Sequence, residues 1–392
     1  MLIYIHYPHC IRRCNYCDFA ISPGKCFPAV EYTDQIIAEL RSRLNSEDVQ
    51  TVYIGGGTPS LWPLAELRRV VEALRDVTKI SSATEWTIEV NPEMLTGPQC
   101  AEYTDLGFTR MSLGAQSLQI ETLRRLSREH TRKDVQQAID VASCAGIENI
   151  NVDLIVGLSG QPFSGIREDI ETLCKLGVDH FSVYALQAAP KSRFCASGDR
   201  PAVDDQVAKA LYAARELLEQ KSLRQYEVSN YSRDAPCRHN MLTWSGCSYI
   251  GLGAGAHSAI PSGTETIRIR NTALNRYLKS SFSRKQSRGF AKALDSPLTC
   301  ADSARIFVSN FQESVLETVM VQLRRIQGID RKAFENRFGF DIVDSNESFW
   351  QPYVDRQYLY ILDQAIAPTP TGIWFADGIA ANFPHSSSIC SS

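Results

Sequence analysis

The sequence predicts an α/β protein built on an incomplete parallel barrel of (β/α)6 type, with a small, mostly helical C-terminal domain. Two observations carry this. Along the first half, short apolar runs alternate with amphipathic ones, and a repeated β-then-α order returns the chain to the same end of the sheet, so that the strands pair in parallel. The chemistry-bearing residues also follow directly after the apolar runs, and in parallel barrels ligands sit at the carboxyl ends of the strands.

The strand-like runs are Leu2–Tyr7, Val49–Ile54, Thr84–Val90, Thr109–Leu113, Ile147–Val156 and His180–Leu186. Between them lie amphipathic segments that include Tyr32–Leu44, Leu64–Val77, Arg132–Ala145 and Ser164–Leu176. After Leu186 the alternation breaks. Asp204–Lys221 reads as one amphipathic helix, Gln225–Tyr231 and Ser248–Ile260 as extended or loop segments, and Lys279–Ser296 as a polar, basic connection without hydrophobic period. Phe311–Arg325, Asp330–Phe338 and Phe349–Asp363 read as helices, and Thr369–Phe375 as a turn and strand. The expected division is therefore 1–190 for the barrel, 191–278 for an extension, 279–297 for a linker and 298–392 for a helical domain with a hairpin.

Composition narrows the function. The 392 residues are 44% hydrophobic, enough to bury a sizeable core, and 41 Lys and Arg stand against 44 Asp and Glu. With a net charge of -3 and no long basic run, a nucleic-acid partner has no electrostatic footprint. The longest apolar stretches are strand-sized, so membrane association is expected only through a partner. The start Met-Leu-Ile-Tyr-Ile has neither a basic segment nor a cleavage site, so a reducing cytoplasm with free thiols is the expected setting.

Cys10, Cys14 and Cys17 follow the first strand with the spacing C-x3-C-x2-C. Three thiolates on one tight loop can hold three irons of a four-iron cluster and leave one iron open to a small molecule. Zinc is the alternative, with His6 or His9 near enough to close a tetrahedron. A glycine run, Gly55-Gly56-Gly57, ends the second strand and would let backbone approach a ligand. Glu89 follows the third strand, Gln116 the fourth, and Asp153 closes the fifth. Singly these also suit caps or loop polar groups, and Arg128 a solvated helix charge. Together they supply a carboxylate for a ribose diol, a guanidinium for a carboxylate and an amide for either role.

The cysteine loop and Ile54-Gly-Gly-Gly-Thr-Pro-Ser60 resemble the radical S-adenosylmethionine (radical SAM) superfamily. Tyr4-Ile-His-Tyr-Pro8, Ser112-Leu-Gly-Ala-Gln-Ser117, Arg238-His-Asn-Met-Leu-Thr-Trp244 and Gly251-Leu-Gly-Ala-Gly-Ala-His-Ser258 narrow the resemblance to the oxygen-independent coproporphyrinogen III oxidase family, and within it to the HemW heme-chaperone branch. The resemblance implies a 4Fe-4S cluster on Cys10, Cys14 and Cys17. It also implies S-adenosylmethionine contacts from Tyr4, Tyr16, Gly56, Gly57, Thr58, Glu89, Gln116, Arg128 and Asp153. The implied partners are heme, proteins that donate and accept heme, and an electron-donor protein if the cluster turns over.

Two features separate the chaperone branch from the oxidases it resembles. Phe19 stands where the oxidases carry a further Cys, and the chain begins at its first strand where they have an N-terminal extension. His239 lies in a string close to the His-Asn-x-x-Tyr-Trp motif linked to heme in that branch, which implies heme ligation by His239. Thr243 replaces the Tyr of the motif. A hydrogen-bonded structural histidine is the other reading of His239. The enzyme alternative is a radical SAM oxidoreductase acting on a porphyrinogen, and a plain electron carrier would use the cysteines alone.

Overall fold

The structure, a computed structural model, describes residues 1–188, 193–282 and 304–384. Six strands run parallel in chain order: β1 Leu2–Tyr7, β2 Thr51–Gly56, β3 Glu85–Val90, β4 Arg110–Gln116, β5 Asn149–Val156 and β6 His180–Ala185. Helices Ala29–Arg43, Leu64–Val77, Gly97–Asp105, Arg132–Cys144 and Phe163–Lys175 return the chain between them. Leu2, Ile3, Ile5 and Tyr7 of β1 are fully buried, as expected of a parallel strand covered on both faces. Against such strands the helix Leu64–Val77 turns Leu67, Val70, Val71 and Leu74, an i, i+3, i+4, i+7 stripe.

The sheet continues past the six expected strands on both sides. Arg224–Gln225 (β7) and Asn230–Ser232 (β8) add antiparallel beyond β6. Tyr249–Leu252 (β9) lies parallel to β1 on its other flank, followed by an antiparallel meander of His257–Ser262 (β10), Glu265–Asn271 (β11) and Ala304–Ser309 (β12). The order β12-β11-β10-β9-β1-β2-β3-β4-β5-β6-β8-β7 leaves two free edges, so the barrel is open. The segment 248–260, expected as extended or loop, holds the strands Tyr249–Leu252 and His257–Ser262 joined by a turn at 253–256, and β12 places 304–309 on the main sheet.

The meander is locked to the barrel by Glu39, a fully buried carboxylate on the helix Ala29–Arg43. It pairs with Arg43 at 2.9 Å and accepts hydrogen bonds from the Gly253 N–H (2.8 Å), Asn271 (2.7 Å) and the Tyr277 hydroxyl (2.6 Å). Each oxygen of the buried charge is thereby satisfied, without which such a charge is strongly destabilising.

The C-terminal unit has its own core around Val319, Trp350 and Ile366. Its helices are Phe311–Gln322, Arg331–Phe338, Glu347–Asp355 and Ala376–Ala381, beside a sheet of Ile329–Asp330, Ala365–Pro368 and Leu359–Ile361. The helix expected over 349–363 stops at Asp355: Gln357 takes a left-handed φ of 59°, which reverses the chain into the strand Leu359–Ile361. The strand expected within 369–375 lies earlier, at Ala365–Pro368, and Gly372–Phe375 is a turn of 3-10 helix. From residue 283 the expected linker lies outside the described residues. Among the described residues no helix is long and apolar enough to cross a membrane.

Candidate functional site

A cavity of about 770 Å³ fills the barrel interior and opens at the carboxyl ends of β1–β5. Cys10, Cys14 and Cys17 share its wall. The loop that carries them is closed at its base, where His9–Cys10 pairs with Ser22–Pro23. Its interior is braced by Arg13, whose guanidinium donates to the carbonyls of Cys17 (3.0 Å), Phe19 (3.1 Å) and Ile21 (3.2 Å). Sequence reasoning passed over Arg13, although a lone fork of donors inside a cysteine loop is the signal for it.

All three thiols are free and half-buried, and burial pushes those of Cys10 and Cys17 above the usual thiol range. Ligation would have to remove those protons. Cys10 Sγ lies 3.3 Å from the Thr58 hydroxyl, and Cys14 Sγ accepts from Arg128 Nη1 at 3.8 Å. The zinc alternative fits poorly. His6 is engaged at both ring nitrogens, by Tyr4 and Ala20, and His9 at Nε2 by Gly24 with Nδ1 unpartnered, and among the described residues no three His, Cys, Asp or Glu converge tightly enough for one ion. A cluster takes one thiolate per iron, so its ligands need not converge on a point.

The glycine run has a steric role beside the expected one. Gly56 and Gly57 do line the cavity, but the space a Cβ would need is filled by the protein itself. At Gly55 it would lie 2.9 Å from the Glu89 carboxylate, at Gly56 against the His6 ring, and at Gly57 2.6 Å from the His9 carbonyl oxygen. The Gly57 N–H donates to Tyr7 (2.8 Å) and the Thr58 N–H to His9 (2.8 Å). The run is therefore the seat of the cysteine loop as well as a cavity wall.

Glu89 and Asp153 sit on strands and cap no helix. Glu89 accepts from the Tyr53 hydroxyl (2.8 Å) and the Gly56 N–H (2.9 Å), and burial, with the charge of Asp153 adding, pushes its carboxyl up to about 7. Asp153 accepts from Asn151 Nδ2 at 2.7 Å, and its carboxyl is raised by burial. Arg128 is no solvated helix charge: it donates to Asn91 Oδ1 (2.9 Å) and the Gly114 carbonyl (2.6 Å) as well as to Cys14. Gln116 reaches the cavity from a left-handed φ of 65°, where β4 loses register with β5. Tyr16 also lines the cavity, packed against the small apolar cluster of Leu126, Ile155 and Phe194. Tyr4 does not reach the wall; it stacks behind Tyr53 with ring centres 6.0 Å apart.

The opposite end of the barrel is polar too, and sequence reasoning missed it. Arg110, Asn151, Ser182, Asn230 and Cys237 line the cavity there. The signal was present: Arg110 and Ser112, Asn151 and Asp153, His180 and Ser182 each lie two apart within otherwise apolar strands, so each pair shares a face.

His239 stands apart from the cysteine loop. It lies in the helix Arg238–Trp244, whose first N–H groups are capped by Glu85 at 2.9 Å. Its Nδ1 is 2.7 Å from the Thr51 hydroxyl at the start of β2, and its ring rests 5.1 Å from that of Tyr53. The side chain is buried, and burial followed by the charge of Arg110 pushes it down to about 4, so it is neutral. Its neighbours Cys237 and Asn240 reach the cavity and His239 does not.

The radical SAM superfamily profile matches residues 4–173. The heme chaperone HemW of Escherichia coli is 32% identical over 293 residues, covering 71% of this chain and 77% of that protein. The chain belongs to the HemW family of the radical SAM superfamily. Likeness to HemW extends nearly end to end in Bacillus subtilis, where the heme chaperone HemW is 28% identical over 378 residues, 94% of this chain and 95% of that protein. The fold of this HemW relative is that of the E. coli coproporphyrinogen III oxidase HemN, with a TM-score of 0.79 at 18% identity over 97% of this chain and 89% of that one.

Proposed function

We propose that this protein is a heme chaperone, which binds heme and passes it to acceptor proteins. The observation that carries the reading is the end-to-end match to the B. subtilis heme chaperone HemW. In this reading Cys10, Cys14 and Cys17 hold a 4Fe-4S cluster, and Tyr16, Gly56, Gly57, Thr58, Glu89, Gln116, Arg128 and Asp153 surround S-adenosylmethionine, with Tyr4 supporting from behind Tyr53. Such a cluster with an open iron supplies a single electron and a coordination site for the amino and carboxylate groups of the cofactor. Arg128 offers that carboxylate its Nε, which has no partner while Asn91 and Gly114 hold Nη2, and Glu89 accepts from the ribose hydroxyls. His239, buried beside the cavity rather than in its wall, would offer iron only Nε2, since Nδ1 is occupied by Thr51, so that ligation needs the helix Arg238–Trp244 to shift. Heme donors, heme acceptors and any electron donor are partner proteins in a reducing cytoplasm, where the thiols stay free.

A second reading, a radical SAM oxidoreductase acting on a porphyrinogen, draws on one observation: every residue expected at the cofactor except Tyr4 lines the same cavity. The deciding experiment offers cluster-loaded protein heme in one cell, and coproporphyrinogen with S-adenosylmethionine in another. Heme retained through gel filtration without decarboxylated product supports the chaperone. Product together with 5′-deoxyadenosine, and no retained heme, overturns it.

A further inference from the structure

Arg110 enters the cavity at the start of β4, on the barrel floor opposite the cysteine loop, and is 3% exposed. Among the described residues it has no ion-pair partner, and its Nε has no hydrogen-bond acceptor. Among the described residues its one contact at hydrogen-bond distance is His180 Nδ1, 3.4 Å from Nη2, and the surrounding chain of donors shows that this is no hydrogen bond. Asn151 Nδ2 must face the Asp153 carboxylate at 2.7 Å, so Asn151 Oδ1 faces His180 Nδ1 at 2.6 Å and requires a proton there. The lone pair of His180 is then on Nε2, where it accepts from the Tyr226 hydroxyl at 2.9 Å. Arg110 meets an N–H.

The carboxylates of Glu85, Glu89 and Asp153 act on Arg110 through their charge, but none of them pairs with it directly, because their oxygens are held by other donors. Glu85 caps the helix Arg238–Trp244, Glu89 holds Tyr53 and Gly56, Asp153 holds Asn151 and Ser112, and Glu227 holds Asn230 and the Ser229 N–H. A buried guanidinium without an acceptor is a costly arrangement, and its planar fork matches a carboxylate in two parallel hydrogen bonds. Asn240 lines the same cavity floor and adds an amide for a second oxygen, whereas Ser182 donates to Asn230 and Asn230 to Glu227.

We infer that Arg110 is the floor of a second anion subsite, separate from Arg128, which takes a carboxylate carried by the ligand that enters the barrel. Resting on the heme reading, that carboxylate is a propionate arm of the macrocycle; the same chemistry would accept a small free carboxylic acid. Arg110 binds and orients, and no bond is made or broken at it.

The test titrates cluster-loaded full-length protein with heme and with heme dimethyl ester, in wild type and in Arg110→Gln and Arg110→Lys, with circular dichroism to confirm folding. Wild type should favour the free acid by roughly 10- to 100-fold, as for a charged hydrogen bond, and Arg110→Gln should erase that preference. Arg110→Lys should retain part of it. In a parallel arm, propionate should raise the melting temperature of wild type and not of Arg110→Gln. Propionate stabilisation that depends on Arg110, without discrimination between heme and ester, supports the subsite with a free acid as its ligand. Equal binding of acid and ester together with no propionate effect overturns it. Wild type that retains neither heme nor ester defeats the chaperone reading, while the propionate arm still judges Arg110.

Discussion

Gly57 is seated against His9: a Cβ on Gly57 would stand 2.6 Å from the His9 carbonyl oxygen and 2.7 Å from the Pro8 carbonyl carbon. The end of β2 and the root of the cysteine loop are thus one packed unit, joined by the Gly57 and Thr58 amides. Contacts this short to backbone cannot be relieved by rotating a side chain, so the loop itself must move.

Gly57→Ala is therefore expected to disturb cluster retention and not merely cofactor access. Overpacking of this kind costs on the order of 1–3 kcal/mol, and here it acts on the segment that carries Cys10. Iron and sulfide analysis after reconstitution should show depleted iron in Gly57→Ala and unchanged iron in Gly97→Ala, where a Cβ meets nothing within 4 Å. Full iron content in Gly57→Ala would separate the two elements again.

Cys10→Ala, Cys14→Ala and Cys17→Ala should each lose the cluster, because two thiolates leave a second iron without a protein ligand. Cys26, exposed and just outside the loop closure, is the control and should retain about four irons per chain when changed to Ala, the content of the intact cluster. Retention of that content in any of the first three variants would refute the ligand assignment.

Glu89 makes stability pH-dependent in an unusual direction for a carboxyl. Its folded pKa is raised from 4.5 to about 7, chiefly by burial, so folding takes up a proton in that interval. Stability is fully present below about 4.5 and falls as pH rises through about 7, by roughly 3 kcal/mol at most for this one group. Denaturant unfolding at about pH 5 and about pH 8 should show Glu89→Gln losing less stability than wild type over the interval. Parallel losses would show that the carboxyl is not held neutral.

The fold was legible wherever one segment contains its own evidence. The runs at Leu2–Tyr7, Thr51–Gly56 and Glu85–Val90 are apolar enough to read as buried strands, and the Cys, Gly and Glu residues at or just past their ends reach the cavity because a parallel barrel puts all strand ends on one rim. The helix Gly97–Asp105 escaped notice because it buries only Cys100 and Tyr103, too few for an amphipathic period, and is started by a Thr96–Gln99 capping box. The barrel floor escaped for a different reason. Arg110, His180 and Asn230 lie up to 120 positions apart and are joined only by closure of the sheet, so no local spacing announces them. The steric role of Gly57 was likewise invisible, since what fills its Cβ position comes from Pro8 and His9 on another strand's end.

His239→Ala separates the two roles open to this residue. As a structural histidine it joins the helix Arg238–Trp244 to β2 through Thr51, so its loss orphans a buried hydroxyl and should cost about 1–3 kcal/mol in unfolding experiments. As an iron ligand it also sets the Soret band, and the variant should then bind heme weakly or with a shifted spectrum while cluster and S-adenosylmethionine binding persist. Because the imidazole is neutral down to about pH 4, wild-type heme affinity should not fall between neutral pH and about pH 5 through protonation of this group. Thr243→Tyr supplies the comparison. Thr243 now donates to the His239 carbonyl at 2.7 Å within the helix, and the family's Tyr would release that bond and bring a phenol to the motif. Tighter heme binding in Thr243→Tyr, together with spectral loss in His239→Ala, is the expected pair. A destabilised His239→Ala that takes up heme with wild-type spectrum and affinity assigns the residue to the fold alone and places the iron ligand elsewhere.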